Sequence, residues 1–237
     1  VMIMMDRVEP DDDPLLVWVA QDMKPGVRAW ALGDAAAVAR RDVGNRDRVA
    51  VRGSVADVAE LLRRIRPEVA DHYPVGDESL ITAVAGIELV AGFGWMQTTA
   101  PAPASAAGTG EELTWLTDAD AEVDAFLDVN HPHSFARPGK GGATRWACLR
   151  DDAGRLLAVA TDAGSTTRIG FISGVATRLD ARGRGLATRL CAALTDELLD
   201  GRDRVALLVD HDNIAAVRTY ERLGYAMRRV AAAKFPG

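Results

Sequence analysis

Cysteine is scarce: Cys148 and Cys191 are the only two in 237 residues. Their separation sets neither a disulfide framework nor a metal-ligand spacing, so a reduced, cytoplasmic, metal-free chain is expected. Hydrophobic residues make up 48% of the chain, yet no apolar run approaches the roughly 20 residues a membrane span needs. The opening Val1–Met5 lacks a basic stretch and a small-residue cleavage site, and it does not read as a signal peptide. An excess of positive charge is also missing. The formal charge of −6 argues against general nucleic-acid affinity and favours a cationic or neutral partner. Two common phosphate-binding patterns are absent as well. No G-x-x-x-x-G-K-[ST] occurs, and no G-x-G-x-x-G is followed by a ribose-binding acid, which argues against a nucleotide triphosphatase and a dinucleotide-binding enzyme.

What is present begins at Arg182-Gly183-Arg184-Gly185-Leu186-Ala187. Phe171–Val175 before it reads as a buried strand, and Leu186, Leu190, Leu194 and Leu198 after it recur at helical spacing. A basic, glycine-rich turn therefore opens a helix directly after a strand. Such a turn lets backbone N–H groups converge where the helix dipole favours an anion. It suits a diphosphate, although the same residues alone could be a helix start with two solvated arginines. A second apolar strand, Val205–Asp210, leads into Asn213-Ile214-Ala215-Ala216-Val217-Arg218-Thr219-Tyr220-Glu221-Arg222-Leu223-Gly224-Tyr225. Asn213, Ala216 and Tyr220 are spaced to share one helix face, and Gly224 fits the cap after that helix.

The two patterns, R-x-x-G-x-A and N-x-x-A-x-x-x-Y-E-x-x-G-[FY], resemble the hallmarks of the GCN5-related N-acetyltransferase (GNAT) superfamily, in the same order. The resemblance implies an α+β fold, with a central mixed, mostly antiparallel sheet flanked by helices, that binds acetyl-CoA or another short acyl-CoA. It implies roles residue by residue. Val175, Ala176 and Thr177 would pair with the pantetheine amides. The N–H groups of Arg182, Gly183, Arg184, Gly185, Leu186, Ala187 and Thr188 would hold the diphosphate, with Arg182 or Arg184 adding charge. Asn213 would bond the pantetheine arm, Ala216 would leave room for it, and Tyr220 would protonate the departing thiolate. The alternative for Tyr220 is a ring packed in the core.

Many members of the superfamily carry a glutamate on the strand before the turn, but Ile169–Val175 contains no carboxylate. His131 and His133, after the first helix of this half, are the candidates for accepting the amine's proton, since imidazole titrates near neutrality. They could equally be polar loop residues. Asp210 and His211 are further candidates, and a water relay without a single base stays open.

The proline- and alanine-rich stretch around 101–110 reads as a linker. It separates residues 1–100, which carry no such motif, from 111–237, which carry all of them. In the second part, Leu113–Leu116 is expected as a strand, Asp118 as the cap of a helix toward Asn130, and Thr144–Arg150 with Arg155–Thr161 as a hairpin. In the first part, Leu15–Ala20, Arg28–Leu32, Ala36–Arg40, Arg48–Arg52 and Ile87–Thr98 read as strands. Ser54 caps a helix that Pro67 ends. This layout resembles the FR47-like and glycine N-acyltransferase-like branch, in which a degenerate GNAT-like part precedes the catalytic one. The expected partner is a small-molecule amine or amino-acid-like acceptor, with no nucleic acid and no membrane, for a monomer or homodimer. Two readings follow: an N-acyltransferase in which a primary amine attacks the thioester directly, or a catalytically weak acyl-CoA-binding sensor or scaffold.

Overall fold

A computed structural model describes residues 1–9, 11–106 and 113–237. Part of the expected linker, residues 107–110, and residues 111–112 lie outside the described residues. The chain forms two compact units, Val1–Trp95 with Arg228–Gly237, and Met96–Met227. The last ten residues thus belong with the first unit, whereas the sequence alone groups 111–237 together.

The first unit begins with β1 (Ile3–Met4) and α1 (Pro14–Ala20). Leu15–Ala20 is therefore helix, not strand. Asp13 accepts from the N–H of Leu15 at 2.8 Å and Pro14 occupies the first turn, a start signal that outweighs the β-like apolar run. Strands β2 (Arg28–Leu32), β3 (Ala35–Arg40) and β4 (Arg48–Arg52) follow, antiparallel in register. Ser54 then caps α2 (Val55–Val69), whose Val58, Leu61, Leu62, Ile65 and Val69 are buried. Pro67 sits inside this helix rather than ending it. The carbonyl it leaves without an N–H partner is that of Arg63, on an exposed turn where water can serve. Next come β5 (Tyr73–Asp77), parallel to β4, and α3 (Glu78–Ala83). β6 (Glu88–Thr98) carries the chain across the boundary at Trp95.

The second unit contains β7 (Thr114–Leu116), α4 (Asp120–Asn130), β8 (Ala143–Arg150), β9 (Leu156–Ala163), β10 (Ile169–Thr177), α5 (Leu186–Leu199), β11 (Arg204–Val209) and α6 (Ile214–Arg222). Asp118 does not cap α4: it adopts φ 51° one residue further out, and Ala119 takes the cap position without a side-chain bond. β7 to β10 pair antiparallel in sequence order, while β11 runs parallel to β10. Leu186, Leu190, Leu194 and Leu198 of α5 pack with Leu157, Ile172, Val205 and Leu207 on one face of this sheet, and α4 places Val123, Phe126 and Leu127 with Trp146 and Val159. The final strand, β12 (Ala226–Lys234), returns to the first unit, where Val230–Ala232 pair antiparallel with β5. Four of the five tryptophans, Trp18, Trp30, Trp95 and Trp146, are buried as core residues.

Candidate active site

β10 is held by neighbours along only part of its length. Its ladder with β11 joins Ile169–Phe171 to Arg204–Ala206. β10 then continues to Thr177 and β11 to Val209 with no further pair between them among the described residues. On the other side, β10 pairs with β9, but the register shifts between Ser173 and Ala176, so Gly174 and Val175 both stand opposite Ala160. Such a bulge frees and re-aims backbone groups. Gly174 is required there. Its φ is +60°, and a Cβ would lie 2.7 Å from Cη2 of Trp146. Val175 packs toward the α5 core and Ala176 toward the α4 core, with Thr177 closing the strand.

A short 3-10 turn (Leu179–Ala181) links Thr177 to Arg182. Gly183 and Gly185 have φ of +78° and +74°, and nothing lies within 4 Å of where a Cβ would stand on either. The amide of Arg189, bonded to the carbonyl of Gly185 at 3.0 Å, is the first in this stretch to make a helical bond. The amides of residues 182–188 make no hydrogen bond among the described residues. Together with the α5 dipole they form an open, electropositive cradle. Arg184 is exposed and makes no ion pair among the described residues. Arg182 is committed elsewhere: its guanidinium donates to the carbonyl of Asn130 at 2.9 Å and to that of Thr177 at 3.4 Å.

Asn130 escapes sequence reasoning, being an ordinary polar residue at a helix end. It is 7% exposed. Its Oδ1 accepts from the N–H of Leu179 at 2.9 Å, and its Nδ2 donates to the carbonyl of Phe126 at 2.8 Å. With Arg182 it fastens the end of α4 to the segment leading into the glycine-rich turn. An Asn130→Ala variant leaves a buried N–H at Leu179 without its acceptor. It is expected to lower stability by about 1–3 kcal/mol, and thermal or denaturant unfolding checks this: an unchanged midpoint would show that the clasp contributes nothing.

Asn213 caps α6 rather than sitting in its body, and its Oδ1 accepts from the N–H of Ala216 at 3.2 Å. Its Nδ2 makes no hydrogen bond among the described residues. Ala216 is half-buried against the α5 core. Tyr220 is 7% exposed, with its ring 5.9 Å from that of Tyr225. The Tyr225 hydroxyl is paired with Thr195 Oγ1 at 2.8 Å, whereas the Tyr220 hydroxyl has no hydrogen bond among the described residues. Burial, then the neighbouring Cys191 and Tyr225, push Tyr220 well above the usual phenol value. It is held neutral. Burial also pushes the Cys191 thiol up to about 12, so that thiol is inert.

His131 follows α4 directly, and its N–H caps the helix on the carbonyl of Leu127 at 2.8 Å. Its imidazole is lowered below 6.5 first by partial burial and then by the positive charge of Arg182. His133 and Arg137 add to this, and Asp210 opposes it. The bond from Arg182 to the carbonyl of Asn130 holds the residue before His131 against the start of the turn. Both His131 and His133 are exposed. Tyr220 shares the α5 core with Cys191 and Tyr225.

Residues 159–232 match the model of the family described as FR47-like protein. Among solved structures, the chain is similar to a GNAT-family protein from Novosphingobium aromaticivorans, at 20% identity and TM-score 0.60, covering 97% of this chain and 100% of that one. It is similar to a GCN5-related N-acetyltransferase from Kribbella flavida, at 17% identity and TM-score 0.64, covering 95% and 97%. It is also similar to one from Sphaerobacter thermophilus, at 19% identity and TM-score 0.57, covering 100% and 96%. No curated protein matches the sequence. The chain has the GNAT fold, and its FR47-like segment contains both the turn at Arg182 and the run from Asn213 to Tyr225. No helix among the described residues is long and apolar enough to cross a membrane.

Proposed function

We propose that the chain is an acyl-CoA-dependent N-acyltransferase, with acetyl-CoA as the foremost donor and a primary amine on a small or amino-acid-like molecule as acceptor. The observation that carries this reading is the run of unbonded amides at 182–188, set at the end of a splayed strand. The open space at Gly183 and Gly185 fits a diphosphate. Arg184 supplies its charge, and the free edge of Val175, Ala176 and Thr177 suits a chain of amides. Bound acetyl-CoA supplies a thioester carbonyl open to attack by an amine. The chain's own residues do the rest. The turn binds and orients, and Tyr220 Oη holds a proton for the departing sulfur. A neutral imidazole at His131, aided by His133, accepts the proton of the amine directly or through water. The protein is expected to be cytoplasmic and a monomer or homodimer.

The first unit is read as a degenerate GNAT-like part without its own CoA. Where the second unit has free amides, the first satisfies them internally: the N–H of Ser54 donates to both Asp34 carboxylate oxygens at 3.0 and 3.1 Å, and the N–H of Asp57 to Ser54 Oγ at 3.4 Å. Its parallel strands also stay close, since a Cβ on Gly76 would lie 2.8 Å from the carbonyl oxygen of Val51. The second reading, a catalytically weak acyl-CoA-binding sensor or scaffold, is favoured by one observation: β10 carries no carboxylate.

Two measurements on the full chain separate the readings. Calorimetric titration is expected to give one CoA per chain. Thiol release from acetyl-CoA with a panel of primary amines is expected to rise above background. That rate should fall as pH drops through a pKa below 6.5, because the neutral imidazole is the active form and its pKa is lowered. CoA binding without amine-stimulated thiol release would favour the sensor, and no CoA binding would end both.

A further inference from the structure

The bulge of β10 rests on one large side chain. A Cβ on Gly174 would lie 2.7 Å from Cη2 and 3.0 Å from Cζ3 of Trp146, and 3.2 Å from Cβ of Ala136. Trp146 on β8 stands opposite Thr161 on β9, which in turn stands opposite Ser173 on β10. The indole thus spans the width of β9 on the α4 face and ends beside Gly174. Trp146 is 4% exposed and Ala136 2%. A buried indole usually finds an acceptor for its N–H, but Nε1 of Trp146 is shut off from solvent and has none among the described residues. Packing alone holds this ring. Its contact with Gly174 is made by the outer atoms of the six-membered ring, which a phenylalanine at the same position does not reach.

With the diphosphate at 182–188 and the pantetheine amides along Thr177 to Val175, the acyl end of the cofactor comes level with Gly174. There it meets packed residues on both faces of the strand. Ile172 and Tyr220 belong to the α5 core, and Trp146 and Ala136 to the α4 core. The contacts at Gly174 leave no room for a further carbon on the α4 face, and forcing one into a filled core is unfavourable. Open volume adjoins the indole, because Trp146, Leu116 and Val123 border a pocket of about 390 Å³.

We propose that Trp146 determines which acyl group the chain accepts, admitting acetyl and excluding longer chains that need the space its ring fills. The inference rests on the CoA site proposed above, but not on turnover.

The test is calorimetric titration of the full chain with free CoA, acetyl-CoA, butyryl-CoA and hexanoyl-CoA. The chain is expected to bind hexanoyl-CoA at least tenfold more weakly than acetyl-CoA, since one methylene too many in a filled site is already worth about that factor. Trp146→Leu should raise the affinity for hexanoyl-CoA relative to acetyl-CoA by about tenfold or more. Trp146→Phe should move the ratio in the same direction by less, and it serves if the leucine variant fails to fold. The ratio is internal to each variant, so a loss of stability alone does not shift it. Cys148→Ala, in the same core and on the same strand, is the control and should leave the ratio unchanged. Equal affinity of the unaltered chain for acetyl-CoA and hexanoyl-CoA would overturn the proposal, as would a ratio that Trp146→Phe and Trp146→Leu leave in place or that Cys148→Ala moves equally. In each of these cases binding of free CoA keeps the cofactor site itself standing, whereas no binding of any of the four would end both.

Discussion

Replacing Tyr220 with phenylalanine is expected to lower kcat by about two to four orders of magnitude, the range a positioned general acid supplies, while KM for acetyl-CoA stays within a few-fold. The expectation rests on the difference between two tyrosines. Tyr225 uses its hydroxyl structurally, on Thr195, which in turn donates to the carbonyl of Cys191 at 2.6 Å. Tyr220 packs its ring against the same core but bonds nothing through its hydroxyl among the described residues. Removing that oxygen breaks no hydrogen bond and opens no sizeable cavity, so the thermal midpoint should not fall. Tyr225→Phe should do the opposite, lowering stability by about 0.5–1.5 kcal/mol through the lost bond to Thr195 with a smaller effect on kcat. Rate and melting measurements on the pair separate a proton donor from a core residue. A Tyr220→Phe enzyme with unchanged kcat would assign the ring to packing alone.

The elements on which the proposed cofactor site rests are legible in sequence because they are local. A strand, a glycine turn and a helix follow one another within 171–198, and both motifs are continuous. The same holds for the hairpin of β8 and β9 and for the leucine stripe of α5, where one period dominates. Reading fails where local signals conflict. Leu15–Ala20 is six apolar residues in a row, buried on all sides, and a fully buried helix and a fully buried strand look alike at that length. The capping pair Asp13-Pro14 carried the answer. Tyr73–Asp77 contains Pro74 and Gly76, which suggest a turn, yet it forms β5 between β4 and β12. Long-range partners override its local preference. Asn130 is invisible for another reason: its bonds to Leu179 and Arg182 join positions about fifty residues apart. The commitment of Arg182 to that clasp likewise follows from tertiary structure, and it leaves Arg184 as the charge of the turn without an ion pair among the described residues.

Gly185→Val tests the turn most directly, and its effects on binding and stability should differ in kind. Gly185 caps α5 in the left-handed region, at φ 74° and ψ 10°. A side chain there costs about 1–2 kcal/mol, and a β-branched one is the least tolerated. No neighbour would collide with the new Cβ, so the backbone either keeps its shape under strain or relaxes toward negative φ. Relaxation re-aims the amides of Gly185 and Leu186 away from their common focus. Strain without relaxation places methyl groups in the space proposed for the diphosphate. Either outcome weakens CoA binding, and a loss of more than tenfold is expected from the removal of even one charge-assisted amide bond, worth about 1.5–3 kcal/mol. Gly201→Val provides the control, since Gly201 also has a left-handed φ, +70°, and open space around it, but follows the far end of α5. Calorimetry should show CoA affinity lost at position 185 and kept at position 201, with comparable falls in melting temperature. Equal affinities in the two variants would move the diphosphate away from the α5 start.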